Sequence, residues 1–64
     1  MMMTTEFFES FNRAVADAGN RNEDGSVNWN FVDADLWMEN VINEDNKDIA
    51  YVWFNDLADA MEGV

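Results

Sequence analysis

Cysteine is absent from this chain, so neither a disulfide framework nor a thiolate metal site is available to it. Histidine is absent as well, which removes the commonest general base, the commonest zinc ligand and the side chain that changes charge near neutral pH. Serine occurs only as Ser10 and Ser26, with no His or Cys to activate either. Basic residues are scarce: 3 Lys plus Arg stand against 14 Asp plus Glu, a formal net charge of −11. No apolar run approaches the roughly 20 residues that span a bilayer. Met1-Met2-Met3-Thr4-Thr5 lacks the basic start and continuous apolar stretch of a signal peptide. Together these absences predict a non-enzymatic, soluble, cytoplasmic protein that needs no cofactor and holds no metal.

What is present argues for a fold. The chain has 64 residues, near the lower limit for a single core without covalent or metal staples, so residues 1–64 are read as one domain. Disordered acidic tails are poor in aromatics. Here 48% of residues are hydrophobic and 14% aromatic, enough to build a core.

The first segment reads as a helix from about residue 5 to 18. Thr4 or Thr5 caps it, Glu6 sits in the first turn, and Phe7, Phe8, Phe11, Ala14, Val15 and Ala18 fill one face at ~100° per residue. Glu9 and Asp17 each lie four residues from Arg13, and Gly19 is expected as a left-handed C-terminal stop. After a polar turn from Asn20 to Ser26, Val27, Trp29 and Phe31 alternate with Asn28 and Asn30, which suits a short strand. A helical pattern overlaps it. Phe31, Ala34, Trp37, Met38, Val41 and Ile42 share one face, and Asn28, Asn30 or Asp33 can cap the start. An early start creates a second apolar stripe, Trp29, Val32 and Leu36, that points away from the first; either the bundle wraps around both stripes, or Trp29 lies in a strand, or the excess is buried in a homodimer or on a protein target.

Asn43 to Asn46 reads as a turn with Asn46 as the next cap. Ile49, Ala50, Trp53, Phe54, Leu57, Ala60 and Met61 then gather on one face of a third helix, interrupted by no Gly or Pro before Gly63. Asp45, Asp48, Asp56, Asp59 and Glu62 occupy an arc of ~120° opposite. The expected fold is all-α, an antiparallel three-helix bundle; the alternative is an α+β fold in which residues 27–32 and 49–54 pair as strands.

Three patterns bear on function. Asn20, Asn22, Asp24, Gly25, Val27 and Asn28, placed at positions 1, 3, 5, 6, 8 and 9, resemble the calcium loop of EF-hands and dockerin-type repeats. The match departs from that pattern at position 1, where Asn20 replaces Asp, and at position 12, where Phe31 replaces the bidentate Glu. An Asx-rich turn with Gly25 at positive φ is the simpler reading. Asp33-Ala34-Asp35 has the D-x-D spacing of some magnesium sites, yet residues two apart on a helix do not face each other. Carboxylate pairs for glycosidic hydrolysis need a cleft of ~300 Å³ or more, for which a bundle this small is expected to have little room.

The third pattern is the acidic surface. Asp45, Asp48, Asp56, Asp59 and Glu62, extended by Asp35, Glu39 and Glu44, would present carboxylates at spacings comparable to successive phosphates of a nucleic acid. A Lys- and Arg-lined groove would accept them. The net charge of −11 exceeds the magnitude of about 2 to 8 that solubility asks for, and it repels nucleic acid and anionic membranes alike. Chains this short, acidic and free of catalytic residues are similar in kind to virus-encoded anti-defence proteins, including phage anti-restriction and anti-CRISPR inhibitors that act as DNA mimics. The expected partner is a basic nucleic-acid-binding protein in the host cytoplasm; the alternative is an adaptor or homodimer that uses Trp29, Val32 and Leu36.

Overall fold

The computed structural model describes residues 3–63. Met1, Met2 and Val64 lie outside it, and with them part of the Met1–Thr5 start read above. Helix α1 spans Thr5–Ala16, and Thr4 caps it by accepting the Phe7 N–H at 3.1 Å. Its inward face holds Phe7, Phe11, Ala14 and Val15, all buried, whereas Phe8 is exposed on the flank. The helix ends two residues earlier than its periodicity suggests, because Asp17 adopts extended backbone (φ −69°, ψ 123°) and its carboxylate accepts the Gly19 N–H at 2.9 Å. A 3-10 turn over Ala18–Asn20 follows. Gly19 therefore acts inside a capped turn, and the positive φ expected of it falls instead on Gly25 (φ +87°), Gly63 (φ +76°) and Asn40 (φ +60°).

A small hairpin replaces the expected strand. Arg21 and Val27 form an isolated antiparallel bridge, and the Asn22 N–H donates to the Ser26 carbonyl at 2.8 Å. The turn between them needs Gly25 in the left-handed region, where a Cβ would be strained. Helix α2 then spans Trp29–Met38, capped by Asn28, whose side chain accepts the Phe31 N–H at 3.2 Å. It stops at Met38 through a Schellman motif. Asn40 is left-handed, its N–H donates to the Trp37 carbonyl at 3.0 Å, and the Val41 N–H donates to the Leu36 carbonyl at 2.9 Å.

Helix α3 spans Lys47–Glu62 and closes on left-handed Gly63. Asn46 precedes it but does not cap with its side chain. Its Oδ1 accepts the Asn43 N–H at 2.8 Å and its Nδ2 donates to the Val41 carbonyl at 2.9 Å, so it staples the connecting loop. Residues 49–54 are helical, and 29–32 belong to α2; among the described residues there is no strand pair, which excludes the α+β alternative.

The three helices form an all-α bundle around Phe7, Phe11, Val32, Leu36, Ile42, Ala50 and Phe54. Aromatic rings join them. Phe11 stacks on Trp29 with centroids 5.9 Å apart and meets Phe54 edge-on at 5.6 Å, while Phe7 meets Trp53 edge-on at 5.3 Å. Helices α2 and α3 run in opposite senses, since Trp29 at the start of α2 bonds Glu62 at the end of α3, and Trp37 near the end of α2 bonds Tyr51.

Of the two apolar stripes of α2, the bundle covers the Trp29 one, which removes the partner-surface alternative for it, and leaves the Phe31 one outside. Val32 and Leu36 are 0% exposed and Trp29 packs against the core, so these three residues form no partner surface. Phe31 and Met38 face outward at 55% and 85% exposure. The cause is the Asn40 turn: a helix continuing to Ile42 would have added Val41 and Ile42 to the Phe31 stripe. The chain instead folds back after Met38, and Ile42 enters the core from the loop.

Candidate functional site

The carboxylates divide into those that hold the fold together and those that do not. Asp33 accepts the Tyr51 hydroxyl at 2.7 Å, and that hydroxyl accepts the Trp37 indole N–H at 2.6 Å, which ties α2 to α3. Burial raises the Tyr51 pKa, and the bond to Asp33 adds to the rise. Asp35 faces the other way and accepts from Asn20 Nδ2 at 3.2 Å. The D-x-D pair is thus split between two neighbours and makes no shared cation site.

The loop that resembles an EF-hand is also occupied by its own bonds. Asn20 is buried and donates from Nδ2 to the Ala14 carbonyl at 2.9 Å as well as to Asp35. Asn22 Nδ2 donates to Ser26 Oγ at 2.9 Å, and Asp24 accepts both the Ser26 N–H and its hydroxyl, at 3.0 and 2.6 Å. Those two bonds, the hydroxyl's foremost, lower the Asp24 pKa. Among the described residues no group of three or more acidic side chains is placed to hold a metal ion. The geometry is that of an Asx-rich hairpin.

Among the eight acids expected at a partner surface, one is drawn into a local pair and three into contacts between distant segments. Glu44 bonds Lys47 at 2.8 Å, Glu39 lies 3.8 Å from Arg13, and Asp35 takes the Asn20 amide. Glu62 accepts the Trp29 indole N–H at 2.8 Å. The remaining four are Asp45, in the turn before α3, and Asp48, Asp56 and Asp59 on α3 itself. All four are exposed, and none has a hydrogen-bond or ion-pair partner for its carboxylate among the described residues. From Asp48 to Asp59 the row extends about 16 Å along the helix axis.

The cations do little to offset this field. Arg13 donates to Ser10 Oγ at 3.1 Å besides its approach to Glu39, and Lys47 is held by Glu44. Arg21 spends its guanidinium on two backbone carbonyls, Val15 at 2.9 Å and Gly25 at 2.9 Å. It secures the end of α1 to the hairpin without neutralising any carboxylate.

Two concavities exceed the room expected of so small a bundle. One, about 330 Å³, lies between the start of α1 and the α2–α3 loop and is lined by Phe7, Val41, Asn46 and Trp53 among others. The other, about 450 Å³, lies between α1 and α2 and is lined by Arg13, Asp17, Asp35 and Glu39. The first contains a single acid, Glu6. In the second, Glu39 lies 3.8 Å from Arg13, while Asp35 accepts from Asn20 and Asp17 from the Gly19 N–H. Sequence reasoning placed Asp35 and Glu39 on an open field and missed this groove, which periodicity within one helix does not reveal.

The chain matches no protein-family model, no curated protein and no solved structure. Among the described residues no helix is long and apolar enough to cross a membrane.

Proposed function

We propose that this chain is a small non-catalytic inhibitor that occupies the nucleic-acid-binding surface of a basic protein, with carboxylates standing in for phosphates. The observation that carries the reading is the row of exposed, unpaired carboxylates at Asp48, Asp56 and Asp59, with Asp45 just before the helix. A fixed helix presents them without the cost of ordering a flexible tail. Binding would release counterions from the basic groove much as nucleic acid does. The overall charge of −11 adds long-range steering toward a cationic target. An inhibitor of this sort is similar in kind to the DNA mimics that viruses deploy against restriction, CRISPR or nucleoid proteins.

The test is capture from bacterial lysate with the full chain as bait, elution in salt steps, and competition with DNA and RNA. The expected result is a nucleic-acid-binding protein that salt elutes and nucleic acid displaces. The Asp48→Asn, Asp56→Asn, Asp59→Asn triple variant should keep the fold and lose at least tenfold in affinity for that protein, about 1.4 kcal/mol. Capture that nucleic acid does not displace, or that the triple variant preserves, would refute the reading.

A further inference from the structure

Helix α2 is apolar on both sides, and only one side is used. Trp29, Val32 and Leu36 enter the core, while Phe31, Ala34 and Met38 recur at i, i+3 and i+7 on the opposite face, all exposed. The two large side chains stand about 10 Å apart along the axis, with Ala34 leaving a notch between them. An i, i+3, i+7 set of this kind is the reading frame by which one helix receives the apolar side of another.

Acids border the stripe on one side. Asp35 and Glu39 line the α1 side of α2, in the groove that also contains Arg13. On the other side Asn30 and Trp37 flank the stripe, and Asp33 lies behind them, bonded to Tyr51 of α3. An apolar stripe with an anionic border on its α1 side, on a chain of net charge −11, complements a helix with apolar residues on one face and Lys or Arg along its edge. Met38 is an adaptable contact for such a partner, because its thioether chain follows irregular surfaces. A second copy fits poorly. It would bring another net charge of −11 against the first. Phe31, Ala34 and Met38 are also only three side chains beside the roughly 20–30 residues a side that a stable dimer buries.

We infer that the Phe31–Ala34–Met38 face of α2 docks a cationic amphipathic helix of the partner protein; this rests on the basic-partner reading above and adds an apolar anchor to it. Charge steers the target, and the α2 face selects those whose basic surface includes an apolar ridge. The test titrates the full chain, at ~150 mM salt, with an amphipathic helical Leu/Lys peptide and with an oligolysine of equal charge. The wild type should prefer the amphipathic peptide by roughly tenfold. Phe31→Ser with Met38→Ser should erase that preference and leave oligolysine binding unchanged. Met38→Gln alone, at a side chain so exposed that the fold does not depend on it, should reduce the preference several-fold. The Asp48, Asp56, Asp59 triple Asn variant should weaken both peptides and keep their ratio.

Equal binding of the two peptides by the wild type, or a preference that survives both α2 changes, overturns the inference. So does a wild-type dimer that the Phe31, Met38 double variant dissolves, since a second copy would then own the face. Oligolysine binding that is indifferent to the triple variant, with the α2-dependent preference intact, would instead sink the phosphate-mimic reading and leave this one standing.

Discussion

Asn20 illustrates how a single residue supports several elements. Its amide satisfies the Ala14 carbonyl at the end of α1 and reaches Asp35 of α2, from a buried position. Asn20→Ala should cost about 1–3 kcal/mol, because a buried carbonyl loses its partner. Asn20→Asp should cost more at neutral pH, since it sets a carboxylate against both a carbonyl and Asp35. The new group would titrate high in the folded state, so the deficit should shrink as pH falls through its raised pKa. Urea midpoints of the two variants at neutral and mildly acidic pH check this. A calcium loop would behave oppositely, as the carboxylate introduced by Asn20→Asp would supply its first ligand and confer calcium-dependent stability.

Tyr51 supplies the second residue-scale prediction. Its hydroxyl links Trp37 to Asp33, and burial first, then Asp33, holds its pKa above the usual value near 10. A folded pKa above the unfolded one means a contribution fully present below pH ~10 and lost as pH rises through the folded value. Tyr51→Phe should therefore cost about 1–2 kcal/mol at neutral pH and flatten the alkaline decline of stability, as read by urea unfolding across that range. An alkaline decline unchanged in the variant would place its origin elsewhere.

Among the elements, α1 and α3 were legible and α2 was only half so. The Phe7, Phe11, Ala14, Val15 spacing and the Thr4 cap locate α1, and the segregation of apolar from acidic residues locates α3. Both helices have one main apolar face, so the period identifies most of what is buried, though Phe8, Ala18, Ala60 and Met61 on those faces are exposed. Helix α2 has two, and the choice between them depended on where it ended. Nothing in a hydrophobic pattern marks Asn40 as left-handed, though Asn is the residue that tolerates that conformation best after Gly. The bonds of Asn20 and Arg21 were equally hidden, because each reaches back to a carbonyl of α1, and that of Asn46 because it spans the connecting loop instead of capping α3. Leu36→Asp distinguishes the two orientations. With Leu36 fully buried the variant should unfold, losing at least ~3 kcal/mol, whereas Met38→Asp should stay within about 0.5 kcal/mol of wild type, both read by circular dichroism and urea titration.

The whole molecule is a bundle whose core is joined by aromatic contacts and whose surface charge is predominantly uncompensated anion. Arg13 and Lys47 are the cations placed near carboxylates among the described residues, and both pairs are exposed, where such pairs contribute little. The acidic excess was visible in composition alone, and so was its helical face. Which acids are free was not, because Glu39, Asp35 and Glu62 acquire partners only in three dimensions, while Glu44 pairs locally with Lys47. Of the eight acids expected at a partner surface, Asp45, Asp48, Asp56 and Asp59 stay free, and phosphate mimicry depends on them.

The decisive experiment is the salt dependence of binding to the captured target, measured for the wild type and for the Asp48, Asp56, Asp59 triple Asn variant. Log affinity should fall steeply and linearly with log salt for the wild type, as when a nucleic acid releases counterions, and the triple variant should show a clearly shallower slope. Coincident lines for the two proteins, or a wild-type affinity indifferent to salt, would rule out phosphate mimicry and reduce the α3 carboxylates to a solvated face.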